Sequence, residues 1–470
     1  MSERWRKVVS VDLRSLAFFR IVLGSYLLAD LVARLDVVSD FYTDDGFLPR
    51  DGRILLAKAP WLLSLHMSSG NMLIVAIYFL LAIVFALGMI AGHRTRLCTI
   101  GSWILFTSMH ARNPFVDGLA DEVCIALLFW AMFVPLGARW SLDSAQDSRN
   151  ARVPNPCSSW GIEALMLQVC LIYWFALALE WEALVPSGAP AAVALFLAVG
   201  PVLVFSPIGT DAVRLAVVAA FLGFHLTAGH LLHDRRLSLV CAAAWTIFLP
   251  GIVWDYLEER FAKRAPVREG TQRLRHALKA AKARFAWMPR LISGEAPNMP
   301  MGPTASTLVV AAMLVTLAGN VSNTRSGRFE LPAGMQAVAT MAQLGQPWSP
   351  WASGTPAENG WYVIEGVLLN GRRADVWSGE AINYAKPADM AGVYHNDRFH
   401  RYLIRLSTPE MAGYRPYYAD YLCHKWNARY TGKARLEQIY MSYMHEPAPM
   451  RGEPRAGIVK ELLLHQVCPK

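Results

Sequence analysis

Long apolar runs separated by short charged breaks dominate the first two thirds of the chain. Runs of about 17 to 25 mostly apolar residues are long enough to cross a bilayer as helices. They fall at about 13–34, 71–91, 96–112, 121–138, 160–181, 188–206, 212–232, 237–257 and 304–323, so nine spanning helices are predicted. The third is short and ends in His110, Arg112 and Asn113, and a turn at Pro186, Gly188 and Pro190 joins the fifth to the sixth. Beyond the ninth the pattern shortens. The stretch 361–377 reads as two apolar runs around Asn370 and Gly371, a strong hairpin signal, while 401–407, 438–444 and 458–467 read as further strands and 417–429 as a helix. The expected fold is an α-helical polytopic membrane protein of about nine transmembrane helices with a small C-terminal extracytoplasmic α/β or mainly β domain. Its parts are a bundle of eight helices over 1–257, a basic linker over 258–303, the ninth span over 304–324 and a soluble domain over 325–470.

Composition agrees with a membrane part joined to a wet part, since 54% of residues are hydrophobic and 17% charged. The net charge of +9 is concentrated in one segment, with ten Lys and Arg between positions 260 and 290. That excess reads as topology and membrane-surface charge, and no nucleic-acid partner is implied. Arg4, Arg6 and Lys7, then His93, Arg94 and Arg96, then Arg139, Arg149 and Arg152, and the linker all fall on one side of the predicted bundle. Cytoplasmic loops retain positive charge, so the N-terminus is expected in the cytoplasm of an inner (plasma) membrane and the C-terminal domain outside, with Arg235 and Arg236 as an exception in an outer turn. The cationic stretch 271–287 suits either contact with anionic headgroups or a solvated spacer. Seven cysteines show neither CxxC nor zinc spacing, and no metal is expected. Cys423 and Cys468 are the candidate disulfide of the outer domain, although spacing alone does not make them neighbours.

Ionisable groups inside a bilayer are costly and need a partner or a purpose. From Ala164 to Leu179 the fifth run is polar only at Gln168, Tyr173 and the weakly polar Cys170, and Glu180, Trp181 and Glu182 follow. Tyr173 and Glu180 are two helical turns apart and share a face. Arg20 and Asp30 roughly share a face of the first helix, which suits interhelical pairing. The stretch 110–122 gathers His110, Arg112, Asn113, Asp117, Asp121 and Glu122, readable as a polar cavity wall or as helix caps. His225, His230 and His233 end the seventh run without a carboxylate at metal spacing, which suits proton relay or an interfacial position better than a metal.

Several of these stretches together resemble the HTTM (horizontally transferred transmembrane) family, whose best-known members are the vitamin K-dependent γ-carboxylases. The carriers are SLAFFRIVLG with Asp30 and Arg34, YTDDGFLPR, ARNP before an acid-rich turn, FVPLGARWSLD, QVCLIYWFALAL, FHL and FLP across the seventh and eighth runs, GWYVIEGVLLNG and YLCHKWN. Each is weak alone, and their order and spacing carry the resemblance over nearly the whole chain. It implies chemistry in which a reduced quinone is oxidised by O2 and the strong base so formed removes a glutamate γ-proton, to which CO2 adds. The family's carboxylases carry a lysine pair after the aromatic run of the fifth helix. Leu179 and Glu180 stand at the similar positions here, and none of the nine runs contains a lysine.

Two readings follow. In the first, a divergent quinone- or lipid-binding redox or carboxylase-like enzyme uses Glu180 as acid and base with Asp121, His110 and Arg112. Tyr173, Trp181, His225 and Asn113 then line the lipid site, and the outer domain presents a protein or peptide substrate. In the second, the fold persists without the reaction, as a noncatalytic membrane partner, an immunity factor or a lipid-binding protein.

Overall fold

The computed structural model describes residues 3–55, 64–146, 149, 152–184, 191–231, 235–261, 280, 302–323, 330–345, 360–388, 393–394, 396–446 and 457–469, and in the helix ending at Leu184 it describes side chains to 178. The chain packs as two units. One comprises Met1–Ala33, Phe79–Thr107 and Leu119–Trp351, the other Arg34–Tyr78, Ser108–Gly118 and Ala352–Lys470. The division at 325 expected from the pattern follows chain order, whereas packing groups two early loops with the C-terminal residues.

Among the described residues each predicted run holds a helix, though the fourth is helical only to Ala131 and the eighth is broken. The helices are α1 (Leu13–Ala33), α2 (Met72–Ala91), α3 (Thr95–Arg112), α4 (Leu119–Ala131), α5 (Trp160–Leu184), α6 (Ala191–Leu203), α7 (Thr210–Leu231), α8 (Arg235–Trp245), α9 (Gly251–Phe261) and α10 (Pro303–Ser322). The expected count of nine spans is corrected. Among the described residues five helices are long and apolar enough to cross a membrane, at Leu13–Tyr42, Met72–Ala91, Trp160–Ala178, Thr210–Thr227 and Pro303–Ser322. A pair bent by 91°, Arg235–Phe248 and Gly251–Arg260, makes a sixth if it counts as one span.

The reasons are local. With 13 residues each, α4 and α6 reach only about 20 Å of the ~30 Å hydrocarbon core. Serine, threonine, histidine and arginine dilute α3. Pro250 follows Leu249 between α8 and α9, and a residue before proline is pushed out of helical geometry. The expected orientation rested on an odd count, and five spans are odd whereas six are even, so parity turns on the bent pair. Most of the basic linker lies outside the described residues, as does the turn at Pro186, Gly188 and Pro190.

In the first unit the FVPLGARWSLD stretch works as a clamp. Asp143 accepts from the Arg94 and Thr95 amides and from the Thr95 hydroxyl at 2.7–2.9 Å, capping α3 at its start. Arg20, fully buried on α1, donates to the carbonyls of Trp140 at 2.6 Å and Leu136 at 3.3 Å. Gly92 lies beside it at φ +67°, where a Cβ would collide with the guanidinium.

The second unit holds an antiparallel sheet of β1 (Trp361–Leu368), β2 (Arg373–Asp375), β3 (Leu436–His445) and β4 (Val459–Val467) in the order β2-β1-β3-β4. The hairpin turns through Asn370 and Gly371 as expected, with Gly371 at φ +81°. The expected strand at 401–407 is instead the end of helix α11 (Asp397–Ser407), and α12 (Arg415–Arg429) covers the expected helix. Arg398, Tyr402, Leu403 and Leu406 are buried at helical spacing, and Asn396 caps the amides of Arg398 and Phe399 at 3.0 Å, a signal the short apolar run concealed. Cys423 of α12 is bonded to Cys468 just beyond β4.

The YTDDGFLPR loop is part of this unit's core. Phe47 packs among the rings of Phe41, Phe399, Tyr402, Tyr418 and Tyr421, with centroids 4.4–5.4 Å apart. Tyr421 donates to Asp40 Oδ1 at 2.9 Å, and Arg405 donates to the Pro114 carbonyl at 2.7 Å, so both early loops are tied to α11 and α12.

Candidate functional site

In the first unit the predicted residues Tyr173 and His225 meet. Gln168, Cys170 and Tyr173 are buried because they stand in the otherwise apolar stretch 164–178 of α5, where polar atoms turn into the bundle. Tyr173 Oη lies 2.6 Å from His225 Nε2, and Trp245 Nε1 donates to the same oxygen at 2.6 Å. Cys241 also borders the phenol. An indole N–H only donates, so the tyrosine oxygen accepts from Trp245. Where its own proton is given to His225, Nε2 is the accepting nitrogen and the imidazole is neutral.

Aromatic rings wall this chain of bonds. Phe221 stacks on Trp245 with centroids 3.9 Å apart and planes 16° apart, and Phe196 stacks on Phe221 at 4.3 Å. Five residues earlier on α5, Gln168 Oε1 accepts from Trp130 Nε1 at 3.0 Å. The site is therefore a phenol and an imidazole sharing a proton inside an aromatic, water-poor box.

A second polar group lies on the same helix as Trp245. Arg236, nine residues earlier on α8, places Nη1 3.6 Å from Asp30 Oδ1 and 3.9 Å from Asp121 Oδ1. The Tyr26 hydroxyl is buried beside these three charges. Asp121 is thus partnered within the bundle by a cation read from sequence as an outer-turn exception, and Asp30 pairs across helices while Arg20 binds carbonyls elsewhere.

Three other predicted residues, His110, Arg112 and Asn113, fall in the second unit. His110 Nδ1 lies 2.8 Å from Asp117 Oδ2, and Asp117 Oδ1 lies 4.0 Å from Arg34, whose Nη1 donates to Tyr42 at 2.6 Å. Arg112 donates to the Thr43 carbonyl at 3.0 Å, and Asn113 donates to the Phe41 carbonyl at 3.0 Å while its side chain caps Phe115. Asn113 therefore fastens two loops, the role expected of a cap and not of a ligand. Glu180 and Trp181 lie on the backbone of α5, two turns past Tyr173, but their side chains are outside the described residues, as are those of His230 and His233.

Trp245 and Phe221 were not singled out from sequence, and Arg236 was read only as an outer-turn charge. Trp245 is 72 residues from its hydrogen-bond partner Tyr173, beyond the reach of any spacing argument. The available signal was compositional: a tryptophan in a run facing the only tyrosine of another. No protein-family model, curated protein or solved structure matches this chain.

Proposed function

We propose that this chain is a divergent HTTM-family membrane protein, related to the vitamin K-dependent γ-carboxylases, that holds a quinone or a similarly headed lipid among α5, α7 and α8. The observation that carries the reading is the buried Tyr173–His225 contact at 2.6 Å. Oxidation of a quinol to a quinone releases two protons with its electrons, and a hydrogen-bonded phenol and imidazole can take and pass a proton where water is scarce. Aromatic rings such as Phe221 and Trp245 suit a flat ring ligand.

Position 180 on α5 supplies a carboxylic acid where the family's carboxylases carry lysine, so Glu180 is assigned the acid and base role. Asp121 is a supporting group through Arg236, and His110 and Arg112, in the last turn of α3, belong to the second unit. The N-terminus is assigned to the cytoplasm and the disulfide-bonded C-terminal residues to the outside, where a protein or peptide substrate would be presented.

One observation favours the noncatalytic alternative. Trp245, Tyr173 and His225 satisfy one another in a closed chain, as a purely structural network would. Tyr173→Phe separates the two, because it removes the shared proton and keeps the ring. In nanodiscs, a soluble quinone analogue should quench tryptophan fluorescence saturably in the wild type and bind at least several-fold more weakly in Tyr173→Phe. Equal quenching curves in a folded variant would favour the lipid-binding or partner reading without a quinone role for Tyr173.

A further inference from the structure

Within the second unit a cavity of about 700 Å³ lies between α12, the turn after β2 and the short helical segment that follows α1. That volume falls in the range of small-molecule sites. Trp377, Tyr421, Trp426 and Tyr430 give it aromatic walls. Tyr421 and Trp426 are buried whereas Tyr430 is exposed, so the cavity opens to solvent on one side. Both indole N–H groups are engaged within the protein, Trp377 Nε1 donating to the Tyr418 hydroxyl at 3.2 Å and Trp426 Nε1 to the Ala434 carbonyl at 3.0 Å. The two indoles are thereby fixed, and what they offer a ligand is apolar ring surface.

Charged groups of both signs share the lining. Asp36 and Asp40 come from the segment after α1, and Lys425 and Arg429 stand one turn apart on α12. A third acid, Asp375, accepts from the amides of Trp377 and Ser378 and from the Ser378 hydroxyl at 2.8–3.1 Å, and so holds the turn that carries Trp377. Lys425 Nζ donates to the Tyr421 hydroxyl at 2.6 Å, which in turn donates to Asp40 Oδ1 at 2.9 Å. Burial and the adjacent Asp40 push the Tyr421 phenol up, so it keeps the proton for that bond. An anion would meet the carboxylates and a cation would meet the two bases, so the lining matches neither a strongly acidic nor a strongly basic ligand.

We propose that this cavity binds a neutral oligosaccharide segment of two or three pyranose rings. A pyranose presents C–H faces that lie against aromatic rings and a rim of hydroxyls, each of which both donates and accepts. Carboxylates, which only accept, and cations, which only donate, then serve one rim together, so the mixture of signs that disfavours ions suits a sugar. A cavity of this volume takes a drug-sized ligand, larger than a single sugar ring. The site lies in a different unit from Tyr173 and stands or falls independently of the quinone reading.

The test uses the full chain in lipid nanodiscs, because alkyl glycoside detergents would compete for the site. Saturation-transfer NMR follows titration with maltotriose, with the linear trimer of N-acetylglucosamine, with the two corresponding monosaccharides and with a glutamate-rich peptide. At least one trimer is expected to bind saturably and several-fold more tightly than its monosaccharide, while the peptide gives no saturable signal. Tyr430→Ala removes a ring and Lys425→Met a donor, both at exposed positions that leave the fold intact, and each should weaken trimer binding several-fold. Arg372→Ala, exposed and outside the cavity, should leave it unchanged. Failure of both trimers to bind, or trimer binding that Tyr430→Ala and Lys425→Met leave unchanged, would overturn the site. Peptide binding in place of trimer binding would overturn it too, and would make the cavity a peptide site.

Discussion

Replacing both Cys423 and Cys468 by serine is expected to destabilise the second unit by about 4 kcal/mol, from the loop-closure entropy returned to an unfolded chain in which the linked residues are 45 apart. The loss should appear as earlier unfolding of the sheet and of α12, because the bond ties that helix to the end of β4. Unfolding followed by Trp426, which is buried on α12 and donates to the Ala434 carbonyl, reports on this part of the chain. The melt should shift downward in the double variant, and wild-type protein treated with reductant under denaturing conditions should refold to the same lowered stability. Unchanged unfolding in the double variant would mean that the bond is not formed in the mature protein.

His66 gives the second large effect. Burial lowers its imidazole to about 3, with Arg112, His110 and Arg34 adding to the same direction. In the unfolded chain it returns to about 6.5, so between these values the unfolded state binds a proton that the native state refuses. Stability attributable to this group is complete above about pH 6.5 and is lost at about 1.4 kcal/mol per pH unit as the pH falls toward 3. The window from pH 6.5 to 5 lies above most carboxylate titrations, so histidines dominate it. His66→Asn can keep a hydrogen bond to Ser108 and cannot titrate, so its stability should fall less steeply than the wild type's over that window, by up to about 1.4 kcal/mol per pH unit. An equal slope in wild type and His66→Asn would assign the acid sensitivity to other groups.

How much was legible in the sequence follows from what kind of contact fixes each feature. Helices at all nine apolar runs were legible because a run of that length has few alternatives. Which of them are long enough to cross was not, since α4 ends at Ala131 shortly before Pro135 and the α8–α9 break sits at Pro250, details that a count of apolar residues averages away. The strand error at 401–407 has the same origin: four apolar or aromatic positions in a short run satisfy both periods, and the deciding feature was the Asn396 cap outside it.

For the site, Tyr173 and His225 were each visible as polar atoms in apolar helices. That they touch, and that Trp245 completes the chain, depends on the packing of α5, α7 and α8. Arg236 shows the limit of charge rules, because an arginine near a helix end was assigned to a loop while its guanidinium lies near Asp30 and Asp121. Phe47 shows the limit of composition, since a glycine- and aspartate-rich loop conceals the ring that centres the second unit's core.

The most direct measurement of the central claim is mass spectrometry of the lipids that remain with the purified protein. Wild-type protein taken from membranes in mild detergent should retain an isoprenoid quinone in near-stoichiometric amount, and Tyr173→Phe, purified in parallel and shown to be folded, should retain much less. A wild-type preparation that carries ordinary phospholipid and no quinone, and that takes none up when quinone is supplied, would contradict it.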